Sequence, residues 1–125
     1  MARIYVVDDE KLVRMLLKEI LLKAGYEVEA FGNPLDAIAR IEEQEPDLLI
    51  TDIFMPEKSG LEMILELRQT HTALKIIAIS GDSPGSEGAY KESLEVAEAL
   101  GSANIIEKPF TAPQVVKAAQ NALAS

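Results

Sequence analysis

The 125 residues contain no cysteine and only one histidine. They also lack any apolar run near the roughly 20 residues that a membrane span requires. Without cysteine there is no disulfide framework and no thiolate chemistry, which fits a reducing compartment. The lone His71 cannot build a zinc site; at the end of a helical stretch it reads as a solvated side chain. Near the N-terminus the apolar stretch Ile4-Tyr5-Val6-Val7 meets acids at once, too early for the core of a secretory signal. A soluble, cytoplasmic protein with no membrane insertion is expected. Cations are scarce as well: 12 Lys and Arg stand against 21 Asp and Glu, a net charge of -9. They are scattered among acids, which argues against direct nucleic-acid binding.

The remaining composition is that of an ordinary globular chain, 48% hydrophobic and 26% charged. Its length suits one domain, residues 1–125, able to bury about two thirds of its unfolded surface. The informative feature is where the charges fall. Ile4-Tyr5-Val6-Val7 runs into Asp8-Asp9-Glu10, Leu48-Leu49-Ile50-Thr51 runs into Asp52, and Asn104-Ile105-Ile106-Glu107 runs into Lys108-Pro109-Phe110. If these runs are parallel strands, the charges converge on one edge of a sheet. A like-charge pair about 4 Å apart costs on the order of 4 kcal/mol at an effective dielectric of about 20, so three carboxylates there call for a cation.

Strand and helix signals alternate along the chain. Residues 3–8 predict a strand, and Leu12, Val13, Leu16, Leu17, Ile20 and Leu21 recur at helical spacing up to a stop at Gly25. Residues 26–31 alternate apolar and acidic and predict a strand. Asn33-Pro34 then supplies an N-cap and first-turn proline for a helix ending near Pro46. A strand over 47–52 follows, then a loop over 56–60, a helix with Leu61, Ile64, Leu65 and Leu67 inward, and a strand over 74–79. Residues 80–88 are rich in glycine and serine and predict a loop before a helix that carries Tyr90, Leu94 and Ala97 and ends at Gly101. A last strand over 104–107 precedes a helix capped by Thr111, with Val115, Val116, Ala119 and Leu123 inward.

Five βα units of this kind predict an α/β fold, a doubly wound parallel sheet with helices on both faces. The strands at 3–8, 47–52 and 74–79 are apolar at consecutive positions, as suits central strands, whereas the half-polar strand at 26–31 belongs at an edge. That assignment favours the order 2-1-3-4-5, with a ligand site beyond the carboxyl ends of strands one and three.

The combination of Val7-Asp8-Asp9, Asp52 with Met55-Pro56 and Gly60 after it, Ser80-Gly81, and Lys108-Pro109-Phe110 resembles the receiver domain of bacterial response regulators. The resemblance covers essentially the whole chain and implies the same flavodoxin-like sheet order. It implies that Asp52 accepts a phosphoryl group from a histidine kinase or phosphotransfer protein, forming an aspartyl phosphate. It further implies that Asp8, Asp9 and Asp52, with the backbone carbonyl of Phe54, hold Mg²⁺, a hard cation that favours oxygen donors. For Asp9 an N-cap of the first helix is a compatible second role, and Glu10 reads as first-turn helix charge. Ser80 corresponds to the hydroxyl that bonds a phosphoryl oxygen and carries the switch, and Lys108 to the lysine that pairs with acceptor and phosphoryl group. The family also implies a cis peptide bond between Lys108 and Pro109.

Two departures stand out. The family often has an aromatic residue three positions before the lysine, which rotates inward in the switch; here it is Ile105. The stretch from Ser80 to Lys108 is also longer than in minimal receivers, in the loop and helix that usually form the output surface. Phe54 is bulky where water would attack, which predicts slow phosphate loss. A stand-alone receiver and a piece of a larger regulator are both compatible with the chain. Two other functions compete. A scaffold of the same fold that is never phosphorylated is disfavoured by the complete set of acids, hydroxyl and lysine. An FMN protein would need a phosphate-cradling loop where this chain has carboxylates.

Overall fold

The computed structural model describes residues 1–53, 60–80 and 105–125. Phe54, Met55, Pro56, Gly81, the breaker-rich segment beyond Ser80 and the helix expected before Gly101 lie outside the described residues. The elements in order are β1 (Arg3–Val7), α1 (Lys11–Lys23), β2 (Glu27–Phe31), α2 (Pro34–Glu43), β3 (Leu48–Asp52), α3 (Gly60–Thr70), β4 (Lys75–Ser80), β5 (Ile105–Glu107) and α4 (Ala112–Ala124). The strands form one parallel sheet in the order β2-β1-β3-β4-β5, as expected.

Successive strand residues face opposite sides of the sheet, so one chain builds two cores. Tyr5, Val7, Leu49, Ile76 and Ala78 pack against Ala37 and Ile41 of α2 and Met63, Ile64 and Leu67 of α3. Ile4, Val6, Leu48, Ile50, Ile77 and Ile79 pack on the other side against Leu17 and Leu21 of α1 and Val115, Ala119 and Ala122 of α4. All five β3 residues are buried, whereas none of β2 is. The polar strand thus takes the edge.

Local signals explain the helix ends. The Asn33 side chain accepts the Asp36 N–H at 2.9 Å, with Pro34 in the first turn of α2. Thr111 and Gln114 form a reciprocal capping box at α4. Beyond α1, Gly25 turns the chain at φ 97°, a conformation that suits glycine.

The inward stripes were narrower than the periodicity implies. Leu12 and Leu16 of α1 are 81% and 47% exposed, and Leu65 of α3 is 49% exposed. At about 100° per residue, Leu12 and Leu16 point well away from the Leu17–Leu21 line that meets the sheet. In α4, Ala122 is buried while Val116 and Leu123 are only half-buried. Small side chains close to the sheet are covered before larger ones on the flank.

Candidate functional site

The carboxyl ends of β1 and β3 deliver two buried acids. Asp8 follows β1 and is wholly buried; Asp52 is the last residue of β3 and 3% exposed. Between them the backbone does most of the positioning. The Asp8 N–H donates to Phe31 O at 3.2 Å, and its carbonyl accepts from Arg14 Nη1 of α1 at 2.8 Å. Asp8 Oδ1 accepts the Glu10 N–H at 2.8 Å, tying the carboxylate to the start of α1. Asp9 therefore does not cap the helix; Glu10 is the N-cap residue, its side chain makes no cap bond, and Asp9 is exposed at the rim. One carboxylate oxygen from each of Asp8, Asp9 and Asp52 lies within 4.8 Å of the others.

Lys108 reaches this cluster from the turn after β5. Its N–H donates to Ser80 O at 2.9 Å, and the bond to Pro109 is cis, as expected. Its Nζ stands 3.4 Å from Asp52 Oδ2, 3.5 Å from Asp8 Oδ2 and 3.8 Å from Glu10 Oε1. Glu10 is thus an outer partner of the lysine as well as helix-start charge. Ser80 ends β4 beside Glu107 of β5, and Ile105, half-buried, packs on the α2–α3 side of the sheet.

The electrostatics are unbalanced. Lys108 Nζ faces the carboxylates of Asp52, Asp8 and Glu10, and Asp9 adds a fourth beside them, so one ammonium leaves three negative charges when all are ionised. Burial pushes the Asp8 carboxyl up to about 6; the Glu10 N–H opposes this, and the negative charge of Asp52 adds to it. Burial pulls the Lys108 ammonium down, but Asp52, Asp8 and Glu10 together carry it above its ordinary value. Asp8 Oδ2 accepts no hydrogen bond among the described residues although it is buried. An orphaned carboxylate oxygen among hard oxygen donors fits a small divalent cation. The Phe54 carbonyl, expected as a further ligand, lies outside the described residues.

Two side chains escaped the sequence. Thr51, buried in β3, donates its hydroxyl to Asp52 O at 3.0 Å; a lone hydroxyl in an apolar run was the available signal. The sequence presents His71 as solvated, yet its side chain is only 16% exposed and its ring nitrogens meet Glu45 Oε1 at 3.0 Å and Glu42 Oε1 at 3.2 Å. Those partners lie more than two dozen residues away in the chain, beyond the reach of local pattern. Among the described residues no helix is long and apolar enough to cross a membrane.

The family model for the response regulator receiver domain matches residues 4–120. The chemotaxis protein CheY of Thermotoga maritima is 36% identical over 117 residues, spanning 93% of this chain and 92% of its own length. CheY of Bacillus subtilis is 34% identical over 122 residues, 97% of each chain. Among solved structures, the receiver domain of NtrX from Brucella abortus superposes with a TM-score of 0.85 at 31% identity over 98% of each chain. Agreement over nearly the full length and on this fold means that the chain belongs to the response regulator receiver domain family.

Proposed function

We propose that residues 1–125 act as a single cytoplasmic receiver module whose Asp52 takes a phosphoryl group from the phosphohistidine of a kinase or phosphotransfer protein. The observation that carries this reading is the arrangement of Asp52 itself. It is buried at a strand end, 3.4 Å from Lys108 Nζ, with carboxylate oxygens of Asp8 and Asp9 beside it. Asp8, Asp9 and Asp52 would hold Mg²⁺, with the Phe54 carbonyl as a further ligand. When bound, the cation supplies positive charge for phosphoryl oxygens that these carboxylates would otherwise repel.

In the transfer, an Asp52 carboxylate oxygen attacks phosphorus in line with the P–N bond of the donor. The O–P bond forms as the P–N bond breaks, and the electron pair leaves with the imidazole nitrogen, which gains a proton from solvent. Lys108 offsets the charge of the acceptor before transfer and that of a phosphoryl oxygen after it. The Ser80 hydroxyl donates to another phosphoryl oxygen. Because Ser80 O already accepts the Lys108 N–H, a shift of Ser80 is linked through one hydrogen bond to the β5 end. Ile105 would follow by aliphatic repacking, and the change is proposed to pass by way of residues 81–104, β5 and α4 to a downstream target.

Intact-mass measurement after incubation with Mg²⁺ and acetyl phosphate tests the proposal. One phosphoryl increment is expected in the native chain and none in Asp52→Asn. A folded native protein that gains nothing would favour the unphosphorylated scaffold, and an increment retained in Asp52→Asn would place the acceptor elsewhere.

A further inference from the structure

Strand β3 is buried along its whole length, and the buried polar side chains among the described residues are Asp8, Asp52 and Thr51. The two carboxylates belong to the pocket. Thr51 does not. A buried hydroxyl is unfavourable unless it is hydrogen-bonded, and valine would fill the same space with equal strand propensity. Its register neighbours are Val7 on β1 and Ala78 on β4, neither of which offers a polar side chain. The partner is instead the next residue in the chain: Thr51 Oγ1 donates to Asp52 O at 3.0 Å.

The same carbonyl is confined from a second side. A Cβ at Gly60 would fall 2.2 Å from Asp52 O and 2.7 Å from Ile53 Cα, so only glycine lets the start of α3 sit this close. The Gly60 N–H donates to Ile53 O at 2.7 Å, and the Ile53 N–H donates across the sheet to Ile79 O at 3.1 Å. The peptide that follows Asp52 is therefore held by a side chain, by a helix and by a neighbouring strand. Rotating that peptide would swing the Asp52 Cα–Cβ bond and carry its carboxylate away from Lys108 Nζ.

We infer that Thr51 is a positioning residue for the acceptor: by donating to the Asp52 carbonyl, its hydroxyl sets the peptide from which the carboxylate is aimed. This rests on the phosphoryl-acceptor reading of Asp52. In-line attack is sensitive to small misplacement, and loss of one neutral hydrogen bond corresponds to roughly a three- to tenfold change in rate.

Thr51→Val removes the hydroxyl and keeps the shape; Thr51→Ser keeps the hydroxyl. Acetyl phosphate dependence of phosphorylation at saturating Mg²⁺, thermal unfolding and amide exchange at Ile53 are measured for both. Thr51→Val should stay folded, unfolding within several degrees of the native temperature, and keep its half-saturating donor concentration within about twofold. Its maximal rate should fall roughly three- to tenfold, with faster Ile53 exchange, and Thr51→Ser should restore both. A Thr51→Val chain that reacts at the native rate, or a Thr51→Ser chain as slow as Thr51→Val, would overturn the inference. Should Thr51→Val not fold, Thr51→Ala replaces it under the same criteria. A native chain that accepts no phosphoryl group overturns the reading of Asp52, whereas a reactive native chain with an unaffected Thr51→Val overturns the positioning role alone.

Discussion

The two edges of the sheet treat negative charge in opposite ways. At the amino edge, Glu42 and Glu45 flank His71 at 3.2 and 3.0 Å, and Glu27 pairs with Arg3 at 3.6 Å. These carboxylates are 45–60% exposed; Glu27 pairs with the Arg3 cation, and Glu42 and Glu45 share the His71 ring, which is a cation only when protonated. At the carboxyl edge, Asp8 and Asp52 are buried and share Lys108, and Asp8 Oδ2 is left without a hydrogen bond. Solvated pairs contribute little but cost little. Buried, under-compensated carboxylates are unfavourable for folding, and the proposed positive ligand would offset that cost. The amino edge leaves its carboxylates in water, and the carboxyl edge buries its own where the proposed cation would sit.

The largest effect should come from removing the shared cation. Lys108→Met is expected to lower stability by about 3 kcal/mol in metal-free urea unfolding at pH 7, because it strands two buried carboxylates. A loss below that of an amino-edge variant would break the contrast. Asp8→Asn should act in the opposite direction. The folded Asp8 carboxyl titrates near 6 instead of 3.8, so the folded state binds its proton more tightly. Any stability this provides is present below pH 3.8 and is lost as pH rises to about 6. At pH 7 without metal, Asp8→Asn should therefore be more stable by about 2 kcal/mol, and Mg²⁺ should stabilise the native chain but not the variant.

At the amino edge the proton is again held more tightly in the folded state, but there it is the charged form that is favoured. Hydrogen bonding to Glu42, and then to Glu45, raises the His71 imidazole above its ordinary value despite partial burial. Its contribution is full below about pH 6.5 and fades as pH rises through the raised value. His71→Gln should cost up to about 1 kcal/mol at pH 6 and little at pH 9, as followed by denaturant midpoints at each pH. Smallest of all, Glu27→Gln should change stability by under about 0.5 kcal/mol, and the difference should vanish in high salt.

Much of this contrast is legible in the amino-acid sequence. The apolar runs ending in Asp8, Asp52 and Lys108 imply convergence on one edge, because parallel strands bring their carboxyl ends together. The acidic alternation of residues 27–31 identifies an edge strand. Helix periodicity is less informative: it marks a stripe but not its width, so it points Leu12, Leu16 and Leu65 inward where the structure has them exposed. The His71 cluster and the Thr51 bond were missed for a different reason. The first joins residues remote in sequence, and the second depends on which carbonyl a hydroxyl reaches, which no spacing encodes.

A Mg²⁺ titration of ¹⁵N-labelled protein followed by backbone amide shifts tests the central claim most directly. Saturable perturbations are expected at Asp8, Asp9, Ile53 and Lys108, absent in Asp8→Asn. Shifts that spread over Glu27, Glu42 and Glu45 with the pocket unmoved, or a response unchanged in Asp8→Asn, would contradict the assignment of the carboxyl edge as the cation site.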